Sequence, residues 1–336
     1  MMKIALDAMG GDRAPHDIVS GGVLAARLSK GRYGVVLVGD EKVVQAELDK
    51  HRFIKELPIS VVHASQAVGM DESPAQAMRQ KPDSSIAVAV KLHKEGKVHG
   101  VVSAGNTGAM LAASLFTLRT IEGIMRPAIG TFMPRGRGDV TLLIDGGANV
   151  DCKPVHLLQF GIMGSILMNL LFDIAEPKVG LLNVGEEATK GNETVVEAHG
   201  LLTTAPVRFI GNVEGRDVLR DKADVVVCDG FTGNVLLKFA GGLGKVLSST
   251  LKQKIGGNIM GTVGAFLMRH KLRKFVKVFD SQEYGGAPLL GVKGTVIISH
   301  GSSTPYAIRN AMEEAYKLAQ KGIPQRIEAQ MRQLKG

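Results

Sequence analysis

Residues 98–110 read V-H-G-V-V-S-A-G-N-T-G-A-M and show the pattern that decides the fold. A short apolar run ends in a loop of glycine and small polar residues, and a segment with helical spacing follows. This order of strand, small polar loop and helix is typical of an open α/β sheet, in which the loops after the strands form the ligand-binding rim. The stretch therefore predicts an α/β fold with a mainly parallel sheet.

Five further loops of the same kind follow apolar runs elsewhere in the chain. They read D-A-M-G-G-D (7–12), D-G-G-A-N (145–149), N-V-G-E-E-A-T-K-G-N (183–192), D-G-F-T-G-N (229–234) and S-H-G-S-S (299–303). We expect all six loops to converge, so that exposed backbone N–H groups and helix N-termini form a pocket for an anion such as phosphate.

The length and the turn composition bound the domain organisation. The chain has 336 residues, 42 of them glycine, and we find no low-complexity linker. We expect a single α/β domain over 1–336, or two coupled lobes, with a projecting apolar and basic helical tip at about 250–277. Residues 134–138 have turn composition, which favours pairing of the strands at 128–133 and 140–144. The polar stretch 70–85 contains two prolines and is expected to be a loop.

Composition argues against several classes of protein. Tryptophan is absent and aromatic residues make up 4% of the chain, which disfavours a nucleic-acid partner because stacking platforms are scarce. The two cysteines lack metal-ligand spacing and indicate a reducing, cytoplasmic compartment. Neither G-x-G-x-x-G nor G-x-x-x-x-G-K-[ST] occurs, so we expect no nucleotide cofactor and no metal. The apolar stretch 157–172 is interrupted by Gln159 and Asn169, which favours a core or dimer helix over a transmembrane one.

The positive charge is concentrated in one segment. Residues 230–279 contain no Asp or Glu and nine of the 41 Lys and Arg residues, so the rest of the chain has as many basic residues as the 32 acidic ones. Residues 255–279 join an apolar, glycine-containing stretch to the cluster R-H-K-L-R-K. That combination suits a tip that enters the interface of an anionic membrane, or one that binds an acidic protein partner. The alternative is a solvated helix whose apolar face belongs to the core. The residues expected to make the contact are Ile259, Phe266, Arg269, Lys271, Arg273 and Lys274.

The loops contain the candidate site residues. Lys190 is a cation in a glycine-bounded loop at the start of a helix, where it can neutralise phosphate and a developing oxyanion. His300 is a candidate general acid for a leaving thiolate, and Asn106 a candidate catalytic amide. The candidates for phosphate and substrate binding are Asp7, Gly10, Gly11, Asp12, Ser103, Gly105, Thr107, Asn149, Asn183, Gly185, Asn234, Arg79 and Lys81. Each of these residues also has a purely structural interpretation. The lysines and the arginine could be solvated at the surface, the asparagines could be ordinary turn residues, and the histidine could be hydrogen-bonded within the protein beneath a loop.

Several long motifs resemble one known family. M-K-I-A-L-D-A-M-G-G-D-R-A-P (2–15), M-D-E-S-P-A-Q-A-M-R-Q-K-P-D-S-S (70–85), L-L-N-V-G-E-E-A-T-K-G-N (181–192) and V-C-D-G-F-T-G-N-V-L-L-K (227–238) resemble, in this order, the bacterial fatty acyl-ACP:phosphate transacylases of phospholipid synthesis. The resemblance also covers V-S-A-G-N-T-G-A (102–109), L-I-D-G-G-A-N-V-D-C-K-P (143–154) and L-L-G-V-K-G-T-V-I-I-S-H-G-S-S (289–303), and extends to about residue 320.

The resemblance implies a fold and a reaction. The fold is a dimeric three-layer α/β/α architecture related to phosphotransacetylases and to isocitrate and isopropylmalate dehydrogenases. The reaction moves a long-chain acyl group from acyl carrier protein (ACP) to inorganic phosphate, without a metal or an organic cofactor. The product feeds a membrane glycerol-3-phosphate acyltransferase, and the family associates peripherally with the membrane. The family's key lysine corresponds to Lys190.

Two other functions remain open from the sequence. A short-chain phosphate acyltransferase that uses CoA would share the fold and the chemistry but would not need the tip. A non-catalytic anion-binding or scaffold protein at the membrane would bind phosphate without turnover.

Overall fold

The computed structural model describes residues 1–135, 139–255 and 281–333, together with residue 268. In this part of the chain eleven strands form one continuous sheet. From one side to the other they are β3 (Ile59–His63), β2 (Tyr33–Gly39), β1 (Met2–Asp7), β4 (Gly100–Ser103), β11 (Val296–Ile298), β10 (Ala287–Leu290), β5 (Ala128–Pro134), β6 (Val140–Ile144), β9 (Val225–Val227), β7 (Lys178–Leu182) and β8 (Arg208–Val213).

Helices cover both faces of the sheet. They are α1 (His16–Ser29), α2 (Glu41–Leu48), α3 (Pro74–Gln80), α4 (Ser85–Lys94), α5 (Thr107–Thr117), α6 (Pro154–Phe172), α7 (Glu193–Thr203), α8 (Gly230–Ile255), α9 (Pro305–Lys321) and α10 (Ile323–Gln333). Successive residues of a strand point to opposite faces, so Ile4 packs in one core cluster and Ala5 in another. Because both faces are covered, every residue of β2 is buried. The predicted three-layer α/β/α class is confirmed.

Three successive antiparallel pairs give a net reversal of strand direction across the sheet. β10 is antiparallel to β11 and to β5, and β5 is antiparallel to β6, whereas the other neighbouring pairs are parallel. The pairing of β5 with β6 confirms the predicted pairing of these two strands. The reversal places the carboxyl ends of β1, β4 and β11 on one rim of the sheet and those of β6, β9 and β7 on the opposite rim.

The expectation that all six loops converge is therefore wrong. Loops 7–12, 103–108 and 299–303 lie on the first rim, and we call them the first loop cluster. Loops 145–149, 183–192 and 229–234 lie on the second rim, and we call them the second loop cluster. The expectation fails because a loop motif after a strand carries no information about the direction of that strand within the sheet.

Helix α6 is the core helix that the interrupted apolar stretch predicted. Among the described residues it alone has the length and hydropathy to cross a membrane. Phe160, Met163 and Leu167 are fully buried, and the helix packs on β6, β7 and β9. This burial accounts for its apolar composition within a packed core.

Two segments differ from the sequence expectation or fall outside the described structure. Stretch 70–85 is not entirely loop: Pro74 occupies the first turn of α3, where a missing N–H costs nothing, and the helix stops before Pro82. The membrane or ACP contacts predicted at Ile259, Phe266, Arg269, Lys271, Arg273 and Lys274 lie outside the described residues.

Candidate functional site

The first loop cluster is held together by backbone contacts that need glycine. The Asp12 N–H donates to the Gly301 carbonyl at 2.8 Å. A Cβ at Gly10 would lie 2.7 Å from the Gly105 nitrogen, and Gly11 has φ +128°. Side chains are therefore excluded from the centre of this cluster, which leaves backbone groups at its surface.

Asp7 and Ser103 lie beneath this cluster. Both are buried, and the Ser103 hydroxyl donates to Asp7 Oδ2 at 2.6 Å while accepting from the Gly105 N–H at 3.0 Å. Burial raises the pKa of the Asp7 carboxyl, and hydrogen bonds from Ser103 and Ser85 oppose that rise. A buried carboxylate is poorly suited to an incoming anion, so the structure gives these two residues a supporting position beneath the predicted phosphate contacts.

Asn106 uses its side chain within the protein. Its Oδ1 accepts from the Ala109 N–H and caps α5, and its Nδ2 donates to the carbonyls of Gly69, Met70 and Glu72 at 2.9–3.3 Å. The amide thus tethers loop 66–73 to the start of α5, and no donor is left for a substrate. The next residue, Thr107, is exposed at the helix N-terminus and stays a candidate anion contact.

The two cations of stretch 70–85 differ in their surroundings. Lys81 Nζ pairs with Glu72 Oε1 at 2.5 Å and donates to the Ala67 carbonyl at 2.8 Å, so it closes its own loop. Arg79 is exposed, and among the described residues it has no ion pair.

His300 is exposed on the first rim with a defined tautomer. Its Nδ1 accepts from the Ser302 backbone N–H at 3.1 Å and lies 2.8 Å from the Ser302 hydroxyl. Because a backbone N–H can only donate, the neutral ring must carry its proton on Nε2. Nε2–H has no acceptor among the described residues, which suits the predicted donation to a leaving group.

The second loop cluster is organised by a buried carboxylate that the sequence analysis missed. Asp145 Oδ1 accepts from the N–H groups of Ile129, Gly147 and Ala148 at 3.0–3.1 Å. Its Oδ2 accepts from the backbone N–H and the side-chain amide of Asn149 at 2.7 and 2.9 Å. A strand-end Asp followed by Gly-Gly is the sequence signal that could have identified it, since such side chains bind the N–H groups of their own turn.

Asn149 and Asn234 play different parts around this carboxylate. Asn149 also donates to the Pro127 carbonyl at 2.7 Å, so its amide is used up in holding the loop. Asn234, in the first turns of α8, faces Gly147, where a Cβ would lie 3.4 Å from its own Cβ. Its amide has no hydrogen bond among the described residues, and it remains a candidate substrate contact.

The two cysteines flank the same loops but are unsuited to nucleophilic attack. Burial, with the nearby Asp145 and Asp229, raises the pKa of the half-buried Cys152 to about 12. The pKa of the buried Cys228 is also raised, mainly by burial. Thiolates at these positions are scarce at neutral pH.

The loop with Lys190 is fixed by three anchors, none of which is the lysine side chain. Asn183 Nδ2 donates to the Lys190 carbonyl at 2.8 Å. Asn212 Nδ2 donates to the Glu187 carbonyl at 2.8 Å, and Lys222 Nζ pairs with Glu186 at 2.6 Å. The Lys190 ammonium is exposed and has no ion pair in the described part of the chain, so Glu186 does not orient it. Gly185 adjoins the lysine stem, with a notional Cβ 3.4 Å from Lys190 Cγ.

The arrangement can bind and stabilise an anion on either rim. Donors without protein partners in the described ranges include the Lys190 ammonium and the Asn234 amide on the second rim, and His300 Nε2–H on the first. Within the same ranges no group of three His, Cys, Asp or Glu side chains is placed to hold a metal ion. Lys222 and Asn212, which hold the lysine loop, were also missed by the sequence analysis. The sequence signal that could have identified Asn212 is the preceding Gly211, because a glycine inside a strand pattern indicates a bulge.

Comparisons with known proteins agree with the resemblance read from the motifs. The family model described as "Fatty acid synthesis protein" matches residues 2–326. The chain is 48% identical over 328 residues to the phosphate acyltransferase of Geobacter sp. (strain M21), covering 97% of this chain and 92% of that protein. It is 47% identical over 338 residues to the phosphate acyltransferase of Desulforamulus reducens, covering 100% and 99%.

Solved structures with low identity support the fold alone. A phosphotransacetylase from Streptococcus pyogenes superposes with a TM-score of 0.61 at 18% identity, over 95% of this chain and 94% of that one. A 4-hydroxythreonine-4-phosphate dehydrogenase from Klebsiella pneumoniae gives 0.50 at 13% identity, over 95% and 98%. Both parts of the predicted fold relationship, phosphotransacetylase-like and dehydrogenase-like, are thus represented. On the family match and the near full-length identity to its relatives, this chain belongs to the fatty acid synthesis protein family, that of the phosphate acyltransferases.

Proposed function

We propose that this protein transfers a long-chain fatty acyl group from acyl-ACP to inorganic phosphate, giving acyl phosphate for phosphatidic acid and phospholipid synthesis. The family match over 2–326 supports acyl transfer to phosphate as the reaction class. The structural observation that carries the proposal is an anchored loop that leaves the Lys190 ammonium unpaired among the described residues.

The chemistry requires no protein nucleophile. A phosphate oxygen attacks the thioester carbonyl, the C–O bond forms, and the tetrahedral oxyanion collapses with cleavage of the C–S bond. The leaving thiolate then takes up a proton. Lys190 offsets the charge of the phosphate and the oxyanion, Asn234 donates to the same oxygen atoms, and His300 Nε2–H is the proton donor. The raised pKa values of Cys152 and Cys228 fit this direct route.

His300 and Lys190 lie on opposite rims, so we propose that the working unit is a homodimer. Helix α8 carries a stripe of exposed apolar residues at spacings of three and four that would bury a large area against a second copy. The stripe consists of Phe231, Val235, Phe239, Leu243, Val246 and Leu247. Closed two-fold pairing of such a face is the commonest form of oligomer.

Mixing two inactive variants tests whether the rims cooperate between copies. Lys190→Ala and His300→Ala homodimers should each be inactive, and after subunit exchange about a quarter of wild-type activity should return if each site takes one residue from each copy. No return of activity would mean that each site uses its own chain only.

The remaining partners follow from the family and the charge distribution. ACP is acidic, and the basic segment 230–279 offers it a landing site. The same segment suits anionic lipids, so we propose a cytoplasmic protein bound peripherally to the inner face of the cell membrane. There its product would reach a membrane glycerol-3-phosphate acyltransferase.

One assay tests the proposed reaction. Purified protein incubated with long-chain acyl-ACP and phosphate should form acyl phosphate and free ACP, without added nucleotide and in the presence of EDTA. Lys190→Ala should lower kcat by ~10²–10³, the usual cost of losing a preorganised oxyanion donor, whereas Lys94→Ala, at an exposed cation of α4, should not. Preference for short-chain acyl-CoA would establish the CoA-dependent alternative. Phosphate binding without turnover would establish a scaffold protein and refute the proposal.

A further inference from the structure

Asn212 is one of four side chains among the described residues that have a buried polar atom without a hydrogen-bond partner, and it is the one that holds the loop of Lys190. The residue is 3% exposed, and its Nδ2 donates to the Glu187 carbonyl at 2.8 Å. Its Oδ1 is buried with no hydrogen-bond partner among the described residues. Exchanging the two amide atoms would put an oxygen against the Glu187 carbonyl oxygen, so the orientation with Nδ2 toward Glu187 is the favourable one.

The backbone is deformed to bring Asn212 to this position. Val179 of β7 pairs with Phe209 of β8, and Leu181 pairs with Asn212. Two steps along β7 therefore correspond to three steps along β8, so β8 contains one extra residue. The extra residue is accommodated next to Gly211, whose φ of +88° is a conformation that glycine adopts readily. Bulges of this kind redirect side chains and are common beside active sites.

The bulge determines which side of the sheet Asn212 occupies. Asn212 pairs with Leu181, whose side chain packs in the same core cluster as Phe209 and as Ala198 of α7. Loop 183–192 runs from the end of β7 to the start of α7, over this side. The bulge thus puts the amide beneath the loop, where it can donate to Glu187, three residues before Lys190.

We propose that Asn212 is a positioning residue for Lys190, which it serves by fixing the backbone of loop 183–192 without touching the substrate. This inference rests on the catalytic role of Lys190 in the proposed function. An unsatisfied buried oxygen disfavours the folded state, so such a group is expected only where its other atom is needed. The Glu187 tether is the need that the structure identifies.

The test uses a variant that keeps the branching at Cγ and removes the donor. Asn212→Leu should lower kcat about 10- to 100-fold, because small displacements of a charge-stabilising group are costly, with little change in KM for acyl-ACP. Hydrogen exchange of the amides in 184–191 should accelerate. The midpoint of unfolding should not fall, since the buried unpaired oxygen is removed together with the tether.

Asn169→Leu is the matched control. Asn169 Nδ2 donates to the carbonyls of Ile174 and Ala175 just after α6, so it is another amide that ties down backbone. This variant should lose stability while keeping its kcat.

A double-mutant cycle separates this inference from the proposed function. If Asn212 acts through Lys190, Asn212→Leu should cause no further loss in a Lys190→Ala background. Losses that multiply, or unchanged loop exchange in Asn212→Leu, would overturn the positioning role. An active Lys190→Ala enzyme would instead refute the catalytic role of the lysine, while loop exchange would still decide whether Asn212 fixes the loop.

Discussion

Replacing Asp145 by Asn should destabilise the protein far more than an isosteric change normally does. The carboxylate accepts five hydrogen bonds, three at Oδ1 and two at Oδ2. An asparagine that keeps its oxygen at the Oδ1 position must aim its NH₂ group at the two Asn149 donors. Two charge-assisted bonds are then lost and two pairs of donors face each other.

The size of the effect follows from those lost contacts. A hydrogen bond to a charged group contributes about 1.5–3 kcal/mol, so the loss of two predicts a fall of about 3–5 kcal/mol in the free energy of unfolding after partial relaxation. The opposite amide orientation loses three bonds and is worse. Activity should fall as well, because this carboxylate fixes the position of Asn149. The Asn149 carbonyl in turn accepts from the Gly230 N–H at 2.7 Å, so the start of α8 would also be displaced.

Asp7→Asn provides the matched control at the equivalent position of the first rim. Asp7 also ends a strand and begins a glycine loop, but burial raises the pKa of its carboxyl. Ser103 can reverse the direction of its hydroxyl hydrogen bond to suit an amide. We expect a change below about 1 kcal/mol.

Urea unfolding at pH 7, followed by circular dichroism, measures both variants. Equal losses for Asp145→Asn and Asp7→Asn, or a loss below about 1 kcal/mol for Asp145→Asn, would refute the conclusion that the Asp145 carboxylate organises the second loop cluster.

Three further variants test other parts of the structure. Burial, opposed by Lys317 and reinforced by Glu313, raises the pKa of Glu314 from 4.5 to about 6. Because the folded state then holds the proton more tightly than the unfolded state, the free energy of unfolding falls as the pH rises from about 4.5 to 6. Urea titrations should therefore show that Glu314→Gln matches wild type near pH 4 and is more stable than wild type by about 2 kcal/mol at pH 7. Phe239→Asp, on the α8 stripe, should give monomers in light scattering, whereas Phe116→Asp, at a comparably exposed residue of α5, should not. Replacing Ile259 and Phe266 together by Asp should release the protein from anionic vesicles and leave activity on soluble acyl-ACP intact; a variant that still pellets would count against the membrane role of the tip.

Local structure was largely predictable from the sequence because its signals are local. Residues 98–110 form β4, a glycine loop and the start of α5 as expected, since β-branched residues, an Asn cap and an apolar helix follow one another there. The turn composition of 134–138 identified the β5–β6 pair. The strand directions were not predictable, because β10 and β5 bring about the reversal through pairings between residues about 160 positions apart in the chain.

The asparagines show why site roles are harder to infer than folds. Their position in glycine loops after strands makes Asn106 a candidate catalytic amide and Asn149 and Asn183 candidate substrate ligands, yet each donates to backbone carbonyls of its own region. A loop of small residues has few side chains to pack, so it needs amides that can tie N–H and C=O groups together. A loop of small residues therefore exposes its backbone to a ligand and also needs asparagine side chains to hold that backbone in place by hydrogen bonds.

That competition gives a physical criterion for the groups that perform chemistry in such a protein. A polar side chain whose donors all have partners in the fold must lose those bonds before it can bind substrate, and that cost is comparable to what the new contact returns. In the described structure Lys190, Asn234 and His300 Nε2–H have no such bonds to lose. Hydrogen bonds made by neighbouring residues fix the loops around Lys190 and His300. A pre-formed site with unpaired donors stabilises an oxyanion without reorganisation during the reaction, which is the requirement for transferring an acyl group to phosphate.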